Sequence, residues 1–164
     1  MSKKAPVTMY DSVTWEDIPT SAQVVAGYID GDYAWPREAW DRFPDAEKVL
    51  ITVTGSLTGN VADVENGDLT PAQAAEWIEA KQRAGHRGCT IYCSRSNLEA
   101  VWSACKDHAY YIWVADWTDS PHSVADTVAT QYSNVGTSYD LSEVYSQEWL
   151  DTLDGVNRPW PLRP

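Results

Sequence analysis

The 164 residues predict an α/β fold, a compact irregular β/α barrel (TIM-barrel-like) with about eight strands and few helices. Three observations predict it. Apolar, β-branched runs alternate with helix-period runs as far as the sixth strand, which argues for parallel strands joined by crossover helices. The last connections are too short for full helices, so the closing strands pair differently. Acids and aromatics recur where strands end, and in such barrels the C-terminal strand ends carry the working residues. A chain of this length is one domain, 1–164, with room for a substantial core, and 151–164 is a Pro-rich tail.

Pro6 to Tyr10 forms the first strand and leads into Asp11, and Val13 to Pro19 is a short helical turn or loop. Gln23 to Ile29 is a strongly apolar second strand that runs into Asp30-Gly31-Asp32. Pro36 suits the start of a short helix, Arg37 to Phe43, with Trp40 facing inward. Glu47 to Thr54 is the third strand, closed by Gly55, and Asn60 to Glu65 is the fourth. The helix from Thr70-Pro71 to Gly85 takes its cap from Asp68 or Thr70, and places Ala74, Trp77, Ile78 and Lys81 at helical spacing. Cys89 to Cys93 is the fifth strand. Asn97 to Cys105 is a helix with Leu98, Val101, Trp102 and Cys105 as its buried stripe. Tyr110 to Ala115, Thr127 to Tyr132 and Tyr139 to Tyr145 complete the strands.

Nine Trp and nine Tyr stand against one Phe. Trp and Tyr combine a flat apolar face with a polar handle, which matches sugar rings; about half of them belong to the core. The formal net charge of −12 disfavours a nucleic-acid or anionic-membrane partner. Cys89 and Cys93 on one strand lie about 13 Å apart at about 3.3 Å per residue, too far to bridge, so the three thiols are expected reduced and packed. His86, His108 and His122 lack ligand spacing; no metal and no cofactor is assigned. No run reaches membrane-spanning length. Residues 1–6 lack the apolar core of a secretory signal, so a cytosolic resting location is expected.

The candidate site centres on Asn60-Val61-Ala62-Asp63-Val64-Glu65-Asn66-Gly67. Side chains at i and i+2 of a strand share a face, so Asp63 and Glu65 project together while Val64 packs the other way. Two carboxylates in one small volume cannot ionise independently, and one keeps its proton near neutral pH. That suits proton donation to a leaving group; the alternative is a pair of solvated acids beside a turn. Other strand ends supply company. Asp11 ends the first strand, Asp30 and Asp32 the second, Trp113 and Trp117 flank the sixth, and Gln131 and Tyr132 end the seventh. Asp140 begins the eighth strand and fits the rule less well.

Taken in order, these residues resemble glycoside hydrolase family 25, the peptidoglycan-cleaving lysozymes of bacteriophages and bacteria. Met9-Tyr10-Asp11-Ser12 resembles the family's opening strand, and Ala62-Asp63-Val64-Glu65 its Asp-x-Glu strand end. Thr90-Ile91-Tyr92 resembles the strand with an active-site Tyr, and Ile112-Trp113-Val114-Ala115, followed by Trp117, the aromatic-apolar-Ala strand. Gln131-Tyr132-Ser133 and Tyr139-Asp140-Leu141 resemble the Gln-Tyr strand and the late Asp. The chain departs from the family in its short span between Asp11 and Asp63, in Thr130 before Gln-Tyr, and in Asp30-Gly31-Asp32.

The resemblance implies Glu65 as general acid, Asp63 orienting the substrate's acetamido group, and Asp11 and Asp140 as supporting acids. Asp30, Asp32, Tyr92, Trp113, Trp117, Gln131 and Tyr132 would then bind substrate. The substrate implied is the β-1,4 bond between N-acetylmuramic acid and N-acetylglucosamine in bacterial cell-wall glycan. Two routes stay open: attack by the sugar's own acetamido oxygen, or by a water activated from across the mouth. The competing functions are a non-catalytic glycan-binding component of a phage virion or cell surface, with a protein partner at the termini, and a structural domain with solvent-facing acids.

Overall fold

The computed structural model describes residues 3–154. Eight strands close into a barrel in chain order: β1 Val7–Asp11, β2 Val24–Tyr28, β3 Glu47–Thr52, β4 Val61–Val64, β5 Thr90–Ser94, β6 Tyr111–Ala115, β7 Ala129–Val135 and β8 Tyr139–Val144. The first seven run parallel, and β8 runs antiparallel to both β7 and β1. The turn between β7 and β8 is too short for a crossover, so those strands form a hairpin, with Gly136 at φ 56°. This reversal explains Asp140. In an antiparallel strand the N-terminal end lies at the mouth, and Asp140 stands directly opposite Asp11.

Among the described residues four α-helices accompany the barrel: α1 Arg37–Asp41, α2 Pro71–Arg83, α3 Leu98–Cys105 and α4 Gln147–Thr152. Thr70 and Gln73 form a reciprocal capping box at the start of α2, satisfying two otherwise orphaned N–H groups. Ala74, Trp77, Ile78 and Lys81 form its buried face, as their spacing predicts. α2 and α3 cover β4, β5 and β6 through one apolar cluster. On α3 the buried stripe is narrower than expected: Leu98, Val101 and Cys105 are buried, but Trp102 is 39 % exposed. Trp102 lies about 100° around the helix from Val101, past the edge of an eight-residue helix that packs along one flank.

Side chains alternate across the strands. Met9, Val24, Val49, Val61 and Trp113 face the barrel interior, whereas Val25 and Leu50 face outward beneath Trp35, Trp40 and Phe43. α4 closes the pole opposite the mouth, with Trp149 buried and its Nε1 donating to Thr90 Oγ1 at 2.8 Å. Residues 3–5 meet it there. The Ala5 amide donates to Gln147 Oε1 at 2.8 Å, and Gln147 Nε2 donates to the Lys3 carbonyl at 2.9 Å. Residues 151 and 152 of the expected tail belong to α4; from 155 onward the tail lies outside the described residues. All three cysteines are free and buried. Among the described residues no helix is long and apolar enough to cross a membrane.

Gly27, on β2, is where Trp35 lies flat against the sheet. A Cβ there would fall 2.3–2.6 Å from three ring atoms of Trp35. Trp35 is itself fixed by its Nε1 donating to the Ser12 carbonyl at 2.9 Å. Gly27→Ala is therefore expected to cost about 3 kcal/mol, the upper part of the overpacking range, read as a lowered midpoint in urea denaturation.

Candidate active site

The period-two alternation that buries the barrel interior also assembles its mouth. Val61 points inward on β4, so Asp63 does too, one layer higher. The same count on β2, from Val24 through Ala26, brings Tyr28 to the rim, and on β5 it brings Tyr92 inward. Asp11, Gln131 and Asp140 complete the ring. Sequence reading missed Tyr28, although counting inward positions along the second strand would have found it.

Gln131 links the ring. Its Nε2 donates to Asp11 Oδ1 at 3.1 Å and Oδ2 at 3.2 Å, and more distantly to Asp140. Its Oε1 accepts from Tyr92 Oη at 2.9 Å and from Trp117 Nε1 at 3.1 Å. An indole N–H can only donate and an ionised carboxylate can only accept, so these partners determine which way the amide faces. Tyr92 also reaches Glu65. That contact favours the ionised carboxylate and so partly offsets the upward shift of Glu65.

Asp63 is 1 % exposed, whereas Glu65, just beyond the end of β4, faces solvent. A tight turn follows: the Asp68 amide donates to the Glu65 carbonyl at 3.0 Å, and the Leu69 amide to the Asp63 carbonyl at 3.1 Å. Gly67 supplies the positive φ of 90° that the turn requires. The turn folds Asp68 back on the pair, so that one carboxylate oxygen each from Asp63, Glu65 and Asp68 lies within 4.8 Å of the others. Asp68 also escaped the sequence reading; its signal was the Asn-Gly dipeptide, a turn marker that reverses the chain after Glu65.

The electrostatics follow from burial and from this crowding. Burial, then Glu65 and Asp68, raise Asp63 to about 8. Burial, then Asp140, raise Asp11 to about 7. Glu65 is raised by burial and then by Asp68, and Asp140 by burial. The Asp63–Glu65 pair thus keeps a proton at neutral pH, shared as a coupled system. Tyr28 and Tyr92 are pushed upward by burial and by the surrounding acids, so both stay neutral donors.

Two clefts open from the ring and share Val13 and Tyr28 in their walls. One, of about 440 Å³, includes Asp30, Asp32, Tyr33, Glu65 and Asp68. The other, of about 340 Å³, includes Asp11, Tyr139 and Asp140. Tyr33 is 64 % exposed on the rim and was not anticipated. Asp30 has a structural task as well: it accepts from Thr52 Oγ1, the Val53 amide and Thr54 Oγ1 at 2.6–2.8 Å, holding the loop after β3. Trp117 is 50 % exposed above Gln131. The loop that carries it is held by Asp116, which accepts from Arg95 at 2.7 Å and pairs with His122 at 2.8 Å.

Two expected substrate contacts are not placed to be contacts. Trp113 is 1 % exposed inside the barrel, its Nε1 donating to Ser142 Oγ at 3.0 Å and its ring edge-on to Tyr92. It is an inward residue one layer below the mouth, and so supports Tyr92 instead. Tyr132 follows Gln131 at a β-bulge, and its electrostatic neighbours are Glu143 and Tyr10, not the acids of the ring. A third cavity, of about 480 Å³, lies at the other pole beside His86, His108 and Glu148 and offers no acid pair.

No protein-family model matches the chain, and no curated protein matches it by sequence. Solved structures do match. A glycosyl hydrolase 25 of Streptococcus pneumoniae, GHIP, described as participating in host cell invasion, superposes with a TM-score of 0.62 at 12 % identity, covering 92 % of each chain. The catalytic domain of endolysin ply40 from bacteriophage P40 of Listeria monocytogenes gives 0.55 at 12 % identity, over 93 % of this chain and 99 % of that one. The Tat-secreted protein Rv2525c of Mycobacterium tuberculosis, solved with L-tartrate, gives 0.57 at 12 % identity, over 88 % and 100 %. With its closed eight-stranded barrel, reversed last strand and sparse helices, the chain has the fold of the glycoside hydrolase family 25 lysozymes.

Proposed function

We propose that this protein is a glycoside hydrolase acting on bacterial cell-wall glycan, a muramidase that cleaves the β-1,4 bond between N-acetylmuramic acid and N-acetylglucosamine. One observation carries the reading: Asp63 and Glu65 bring carboxylate oxygens within 4.8 Å of each other beside an open cleft, in a barrel of lysozyme type. Glu65, the solvent-facing member, gives its proton to the leaving glycosidic oxygen. Asp63 orients the acetamido group, whose carbonyl oxygen attacks the anomeric carbon. Water then opens the resulting ring and returns a proton to Glu65. The alternative, direct attack by water, would need a base about 6.5–9.5 Å from the acid, across the mouth where Asp11 and Asp140 stand. Asp11 and Asp140 add negative charge beside the developing oxocarbenium centre. Trp117 and Tyr33 offer flat faces to sugar rings, and Asp32 a hydrogen-bonding edge.

The test is mass analysis of fragments released from purified cell walls. New reducing ends on N-acetylmuramic acid, absent with Glu65→Gln, support the reading. Saturable glycan binding without fragments would replace it with the non-catalytic role, and failure to bind or cleave would overturn both. Because the acid must be protonated, and burial and Asp68 raise the Glu65 carboxyl, activity is expected to fall on the alkaline side at a pH above the ordinary glutamate range. A pH–rate profile flat to pH 9.5 would contradict that assignment.

A further inference from the structure

We propose that Asp63, Glu65 and Asp68 form a binding site for a calcium ion at the edge of the cleft. One carboxylate oxygen from each of the three residues lies within 4.8 Å of the other two. Some point lies within about 2.8 Å of all three atoms so spaced, close to Ca–O distances of about 2.3–2.6 Å. Little movement is needed to bring all three onto one ion.

A second observation points to a ligand. Asp63 is 1 % exposed, its Oδ1 has no hydrogen-bond partner, and its Oδ2 receives only a long bond of 3.4 Å from Tyr28. An unsatisfied buried carboxylate oxygen costs stability unless a ligand completes it. Among the described residues no Lys, Arg or His lines the cleft, while Asp30 and Asp32 add further negative charge to its wall. A hard cation with oxygen ligands and flexible geometry fits this donor set better than magnesium, which demands near-ideal octahedra. Asp68 completes the trio through the turn at Gly67. Glu65 cannot hold an ion and a proton together, so calcium would inhibit the cleavage proposed above. That consequence rests on the hydrolase reading, whereas the binding itself does not.

Calorimetric titration of the chelator-treated protein with calcium chloride tests the site, beside Asp68→Asn, Glu65→Gln and, as a surface-charge control, Asp107→Asn. The expected result is one site with a dissociation constant of about 0.1–1 mM, weakened at least tenfold by Asp68→Asn and by Glu65→Gln but unchanged in the control. No saturable binding up to 10 mM, or equal weakening in the control, would overturn the inference. Measuring glycan cleavage on the same samples separates the two proposals. Binding without cleavage leaves the calcium site standing and removes the hydrolase, and cleavage without binding does the reverse.

Discussion

Glu65→Gln is expected to lower the rate of glycan cleavage by about 10²–10⁴-fold, the usual contribution of a positioned general acid, with little change in KM. Glutamine keeps the shape of the side chain and its bond to Tyr92, but has no proton to yield to a leaving oxygen. Glu65 is solvent-facing and lies outside the regular strand, so stability should stay within about 0.5 kcal/mol of the parent. A variant that lost activity by unfolding would betray itself in the melting curve. One that kept activity would show that the proton comes from elsewhere, and Asp63 or Asp11 would be the next candidate.

The second large effect concerns stability. Asp63 is buried, and its carboxyl is raised from an ordinary 3.8 to about 8. Between those two values the folded state holds a proton that the unfolded state has released. Stability therefore falls as pH rises across this window and levels off above about 8. Below about 4 the group is protonated in both states and contributes nothing to the trend. Asp63→Asn removes the ionisation. It is expected to stabilise the protein by about 2–5 kcal/mol at pH 8.5, taking about 1.4 kcal/mol for each tenfold change in proton affinity as a ceiling, with the gain shrinking towards pH 4. Paired thermal melts at pH 4.5 and 8.5 would show it. An asparagine variant less stable than the parent at pH 8.5 would mean that the charge is compensated in the fold. A residue whose neutralisation strengthens the fold while harming activity is one kept for its chemistry.

Much of this was legible in the residues because two periodicities set it. Strand alternation fixes which side of the wall a residue faces, so Asp11, Asp63 and Gln131 could be assigned to the mouth once the strands were found. Helical spacing gave the buried face of α2. What escaped depends on depth and on chain reversal. Trp113 and Tyr92 share an inward face and are paired across β5 and β6, and nothing in the sequence says which of the two stops short of solvent. Gln131 and Tyr132 are adjacent on β7, so alternation lets only one of them face the ring, and the bulge leaves Tyr132 as the extra residue. Asp68 joins the acids only through a turn, whose end point a linear reading does not give. Asp140 looked out of place at the start of its strand until β8 proved to run the other way.

The hydrogen bonds between Gln147 and the backbone near Lys3 and Ala5 have a practical consequence. They gather the beginning of β1 and the start of α4 at the pole remote from Glu65. A bead, carrier domain or label coupled at that pole would present the cleft outward, towards an insoluble wall polymer. The same coupling made near Tyr33 would turn the working face towards its own support.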